Sequence, residues 1–188
     1  MSIVLVMGGV RSGKSAYAEQ LAQQRGRDSV LYVATGLAVD REMELRIKQH
    51  QRRRPRQWQT CEEATALPAV FAAYPGSRVV LVDSFSGWIA NLLLAHPEQE
   101  GSEPQVQQMI RERVAELLAY CRQQPEQCWI LISDEVGWGG VAPTPLGRLF
   151  QDALGLANQA AADAADEAYF VVAGQPLSLK GGGARWPG

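Results

Sequence analysis

Cysteine is scarce in this sequence: Cys61, Cys121 and Cys128 are the only three in 188 residues. None belongs to a Cys-x-x-Cys pair, and no histidine neighbours them at a zinc-ligand spacing. That argues against a disulfide framework or structural zinc and in favour of a reducing compartment, expected to be the cytoplasm. Histidine is limited to His50 and His96, and lysine to Lys14, Lys48 and Lys180. No apolar run approaches the roughly 18 residues of a membrane helix. The N-terminal run Ile3 to Met7 is too short for a signal peptide and is followed at once by glycines. A net charge of -2 gives no general attraction to nucleic acid or to a membrane surface. Repeats are absent, and low complexity is confined to the end, at Gly181, Gly182, Gly183, Pro187 and Gly188. A single domain is therefore expected over residues 1–180, with a mobile tail over 181–188.

Against these absences stand five short, continuous apolar runs: Ile3–Met7, Val30–Ala34, Val79–Val82, Trp129–Ser133 and Tyr169–Val172. Continuity rather than alternation is the pattern of strands covered on both faces. Helical periodicity lies between them, over 14–25, 41–52, 86–95, 105–123 and 146–164. Asp40 stands as an N-cap before the second of these helices. The alternation predicts an α/β fold with a mostly parallel central sheet flanked by helices.

The first strand runs into Gly8-Gly9-Val10-Arg11-Ser12-Gly13-Lys14-Ser15, a full G-x-x-x-x-G-K-[ST] phosphate loop with a strand before it and a helix after it. Glycines let the backbone curl around an anion, and the helix N-terminus adds its positive end. Lys14 is expected to reach the β- and γ-phosphates of ATP or GTP, and the Ser15 hydroxyl to hold Mg²⁺. Asp83 ends an apolar strand, where a second Mg²⁺ ligand stands in such enzymes; a plain helix cap is the competing role. Asp134 and Glu135 end another strand in the same way, though loop carboxylates are common there.

His50 lies three residues after Ile47 and seven after Met43, on one helix face. Position alone suits a core-edge histidine. The arginines Arg52, Arg53, Arg54 and Arg56 around Pro55 add a second possibility. Beside a triphosphate they could clamp phosphate oxygens, with the imidazole as nucleophile at the α-phosphorus.

The chain from Ile3 to about Lys180 resembles the bifunctional adenosylcobinamide kinase/adenosylcobinamide-phosphate guanylyltransferases of cobalamin biosynthesis. The resemblance is carried by the phosphate loop, Tyr32-Val33-Ala34-Thr35, and Glu42-Met43 with Arg46-Ile47 leading to His50 and Arg53-Arg54-Pro55. It continues through Asp83, Trp88 and Asn91-Leu92-Leu93, then Glu135-Val136-Gly137-Trp138-Gly139. Asn158-Gln159, Ala165-Asp166-Glu167, Gly174 and Leu179-Lys180 complete it. It implies a RecA-like P-loop domain assembled as a homotrimer. It also implies phosphorylation of the aminopropanol hydroxyl of adenosylcobinamide, then transfer of GMP from GTP through a guanylated His50 to adenosylcobinamide phosphate. The nucleotide contacts it carries over are Gly8 to Ser15, Ala34, Thr35, Gly36, Gln51, Arg52, Arg53, Arg54, Glu62 and Asp83. Asp134 stands where the family usually has Asn, and Gln49 where some members have a second histidine.

Two alternatives use the same loop. A small-molecule P-loop kinase needs no histidine, and a nucleotide-dependent switch transfers nothing. A nucleic-acid motor fits neither the charge nor the length. Trp88 and Trp138 are candidates to meet a flat corrinoid, with ordinary packing as the competing role.

Overall fold

The computed structural model describes residues 2–37, 54–95 and 103–181. Its elements in chain order begin with β1 (Ser2–Gly8), α1 (Lys14–Gly26), β2 (Val30–Ala34) and β3 (Gln59–Glu62). They continue with α2 (Leu67–Ala73), β4 (Val79–Asp83), α3 (Phe85–Ala95), α4 (Glu103–Arg122) and β5 (Cys128–Asp134). After a 3₁₀ turn at Gly137–Gly139 come α5 (Pro145–Ala164), β6 (Glu167–Val172) and β7 (Gln175–Lys180). The expected helix over 41–52, the tail over 182–188 and His96 lie outside the described residues.

The seven strands form one sheet in the order β3-β2-β4-β5-β1-β6-β7. Every pairing is parallel except β6 with β7. Each of the five expected strands is present, and their inner residues are buried because both faces are covered. One face packs α1 and Trp58 against Val4, Val6, Tyr32, Leu81 and Ile132. The other packs α2 to α5 against Leu5, Val33, Val80, Trp129 and Leu131. Trp129 is fully buried there, edge-on to Phe71 at 4.7 Å between centroids. An aromatic side chain buried in this way stabilises the fold by about 3 kcal/mol.

Parallel pairing aligns the strand ends that matter. Gly8 stands opposite Asp134, and Ala34 opposite Asp83. The phosphate loop and both strand-end aspartates therefore share the carboxyl edge of the sheet. β1 sits between β5 and β6, while the chain leaving it crosses past β5 and β4 to form β2. Open α/β sheets bind ligands where the strand order reverses in this way. Among the described residues no helix is long and apolar enough to cross a membrane.

Candidate active site

The phosphate loop is held by packing as well as by its glycines. A Cβ on Gly8 would stand 2.5 Å from Ser12 Oγ and 2.6 Å from the Val171 carbonyl oxygen. Gly13 has φ 96°, a left-handed conformation open to glycine, and lies against Gly174. The amide of Gly174 donates to the Ser12 carbonyl at 2.7 Å, tying the loop to the β6–β7 turn. Arg11 adopts φ 57° without being glycine, a strain of about 1 kcal/mol that its neighbours must offset. Val10 is exposed at the loop tip. Helix α1 starts at Lys14, so its N-terminus opens toward whatever the loop encloses.

Beside the loop lies a cavity of about 360 Å³, lined by Lys14, Ser15, Ala34, Gly36, Arg54 and Asp83 from the expected site. Seven further residues complete the lining and are not among the expected nucleotide contacts: Tyr32, Ser84, Ser86, Gly87, Ala90, Asp134 and Phe150. Lys14 Nζ pairs with Asp134 Oδ1 at 2.7 Å and donates to the Gly9 carbonyl at 3.3 Å. Ser86 donates to the other Asp134 oxygen at 2.5 Å. The Tyr32 hydroxyl donates to Asp83 Oδ2. Burial, then the nearby Asp83 charge, pushes the Tyr32 phenol well above its ordinary value, so it stays a donor at neutral pH. The Arg54 guanidinium lies 3.4 Å above the Tyr32 ring, a cation–π contact. Its Nε and Nη1 are buried without a hydrogen-bond partner among the described residues. Those two donors suit an anionic ligand.

Behind the cavity lining stands Thr35, 1% exposed. Its hydroxyl donates to the Ser84 carbonyl at 2.7 Å and accepts from the Ser84 amide at 2.9 Å. Asn91 of α3 donates to the Thr35 carbonyl at 2.7 Å and to Ala64 at 3.1 Å. The peptide between Asp83 and Ser84 is cis. Thr35 is thus placed to shape the β2 and β4 ends rather than to line the cavity. Glu62 stands at the end of β3 opposite Ala34 and is absent from the cavity lining. His50, Gln51, Arg52 and Arg53 lie outside the described residues. Trp88 is core: its ring is buried and its Nε1 donates to the Thr65 carbonyl at 2.8 Å.

Ser15 and Asp83 line one cavity with the loop. Among the described residues no cluster of three or more His, Cys, Asp or Glu could hold a metal by itself. One hydroxyl and one carboxylate beside a phosphate site are the donor set that suits Mg²⁺, which keeps waters and takes phosphate oxygens as further ligands.

The family model described as cobinamide kinase / cobinamide phosphate guanyltransferase matches residues 4–179. The bifunctional adenosylcobalamin biosynthesis protein CobP of Pseudomonas aeruginosa is 40% identical over 178 residues, 94% of this chain and 96% of that one. The corresponding protein CobU of Escherichia coli K12 is 35% identical over 183 residues, 95% of this chain and 99% of that one. In fold, the flagellar accessory protein FlaH of Methanocaldococcus jannaschii superposes with a TM-score of 0.55 at 15% identity. That alignment covers 95% of this chain and 78% of FlaH. A likeness at that identity speaks to the fold, which is that of P-loop NTPases.

Proposed function

The chain belongs to the cobinamide kinase / cobinamide phosphate guanyltransferase family, and from that membership we propose that one phosphate-loop site serves two successive transfers in cobalamin biosynthesis. In the first, the aminopropanol hydroxyl of adenosylcobinamide attacks the γ-phosphorus of ATP or GTP. An O–P bond forms as the β–γ bridge breaks, and a nucleoside diphosphate leaves. In the second, His50 attacks the α-phosphorus of GTP. An N–P bond forms and pyrophosphate leaves. A phosphate oxygen of adenosylcobinamide phosphate then attacks the guanylyl phosphorus, freeing the histidine and giving adenosylcobinamide-GDP.

The single observation that carries this reading is the cavity that gathers Lys14, Ser15, Arg54 and Asp83 beside the phosphate loop. Each group has a task. The loop from Gly8 to Ser15 cradles phosphate oxygens, Lys14 neutralises charge on the β- and γ-groups, and Arg54 offers its two unpaired donors to an anion. Ser15 and Asp83 would hold Mg²⁺, which when bound supplies further charge neutralisation on the phosphates. Ala34 and Gly36 line the same cavity, Thr35 holds the strand ends behind them, and Gln51, Arg52, Arg53 and Glu62 are the further nucleotide contacts that the resemblance implies. A covalent histidine step divides one hard transfer into two easier ones. The expected assembly is a homotrimer in the cytoplasm, with neither nucleic acid nor membrane as partner.

The test is Lys14→Ala, with the phosphorylation of adenosylcobinamide and the guanylylation of its phosphate assayed separately. Both rates should fall at least about a hundredfold, the usual loss for one preorganised electrostatic group. If either reaction kept its normal rate, a single shared site would be wrong.

A further inference from the structure

Trp138 is the most exposed aromatic side chain among the described residues, at 81%. Trp58, Trp88 and Trp129 are all buried. The exposure of Trp138 is built in, because the loop that carries it is braced from α5. Gln151 donates to the carbonyls of Val136 and Gly140 at 3.0 and 2.9 Å, and accepts from the Ala142 amide at 2.9 Å. Arg148 donates to the carbonyls of Ala142 and Pro143. Glu135 Oε1 accepts from the Gly137 amide at 2.5 Å.

The ring is not simply directed into solvent. It rests on Phe170 of β6, with centroids 5.1 Å apart and planes at 51°. The loop starts from the end of β5, two strands away from β6 with β1 between them. It therefore leans across the carboxyl end of β1, where the phosphate loop begins. Leu177, 47% exposed, stands directly opposite Phe170 on β7 and extends the same apolar surface. Four residues before Trp138, Asp134 holds Lys14, and beside Gln151 stands Phe150, which lines the cavity. The patch and the cavity thus share their supports.

The geometry points to the Trp138–Phe170 surface as the seat of the acceptor's corrin ring, with only the aminopropanol arm entering the phosphate cavity. This rests on the reading of the acceptor as a corrinoid. The cavity of about 360 Å³ must already receive a triphosphate, which leaves no room for a substituted macrocycle. The macrocycle has to lie outside, within the reach of a short arm. A flat conjugated ring system with apolar faces is matched by a rigid aromatic surface at the rim, and a large exposed apolar group on a braced loop marks a binding surface.

The test is steady-state kinetics of Trp138→Ala and Trp138→Phe, with adenosylcobinamide and nucleotide varied in turn. Sedimentation is measured alongside. Trp138→Ala should raise the KM for adenosylcobinamide by about tenfold, a typical cost of losing one stacking ring, and leave the KM for nucleotide unchanged. Trp138→Phe should recover most of the loss. In the parent protein, bound adenosylcobinamide should shield Trp138 from quenching by acrylamide. An unchanged acceptor KM in Trp138→Ala, while the parent enzyme turns over, overturns the seat and leaves the function intact. Loss of assembly with an unchanged acceptor KM also overturns it, assigning the patch to contacts between copies. Failure of the parent enzyme to act on adenosylcobinamide would overturn the functional reading and the seat together.

Discussion

Lys14 shows how far local sequence reaches and where it stops. Its place after Gly13 is dictated by a contiguous motif, so it can be recognised without a fold. Its partner Asp134 is 120 residues away in the chain and 2.7 Å away in space. Only the pairing of β1 with β5 brings them together, and no local pattern encodes that. Tyr32 and Ser86 join the site in the same way, through strand order. Gly87 is another residue whose importance is tertiary. A Cβ there would stand 2.8 Å from Thr35 Oγ1 and 3.0 Å from Ser84 Oγ, and Thr35 is fixed by its two bonds to the Ser84 backbone. Gly87→Ala should therefore cost about 1–3 kcal/mol in denaturant unfolding, the range for overpacking a fixed site. Gly36→Ala, with nothing among the described residues within 4 Å of the added carbon, should be close to neutral in the same measurement. Equal midpoints for the two variants would show that the Thr35–Ser84 link gives way freely.

At the scale of elements, the strands that were legible are those buried on both faces. β3 and β7 were not, for a common reason. Both lie at sheet edges, with mostly exposed side chains, so neither has a continuous apolar run or a clean alternation. Helix α2 is seven residues long with a proline in its first turn, too short to establish a period. The joints between elements are also tertiary. Arg25, in the last turn of α1, donates to Glu167 at the start of β6 at 2.7 Å and to Cys128 Sγ at the start of β5 at 3.6 Å. Tyr169 donates to the same Glu167 oxygen at 2.7 Å. The Arg25 bond, followed by that from Tyr169, outweighs burial and holds the Glu167 carboxyl below its ordinary value of 4.5. A lowered folded pKa means stability that is present above the unfolded pKa and lost as pH falls through the folded one. Glu167→Gln should therefore lower stability by about 1 kcal/mol at neutral pH, a value limited by partial exposure. The difference from the parent should shrink in melts as pH falls through the lowered folded pKa. A gap that stayed constant from neutral pH to acid would assign the effect to packing rather than to the charge.

For the whole molecule, the parallel sheet brings together what the two proposed transfers would use: a phosphate loop, two strand-end aspartates and an arginine with two donors unpartnered among the described residues. Phosphoryl and nucleotidyl transfer both depend chiefly on positioning and charge neutralisation, so one such edge can serve both. In the proposed route, the distinction between a kinase alone and a kinase joined to a guanylyltransferase rests on the imidazole of His50. The central claim is therefore tested most directly by incubating the protein with Mg²⁺ and GTP labelled at the α-phosphate, denaturing it, and counting retained label. The account predicts label that is acid-labile, stable to base and absent from His50→Ala, while that variant keeps phosphorylating adenosylcobinamide. Label that survived His50→Ala would place the nucleophile elsewhere, and a parent protein that bound GTP without ever becoming labelled would contradict the covalent route.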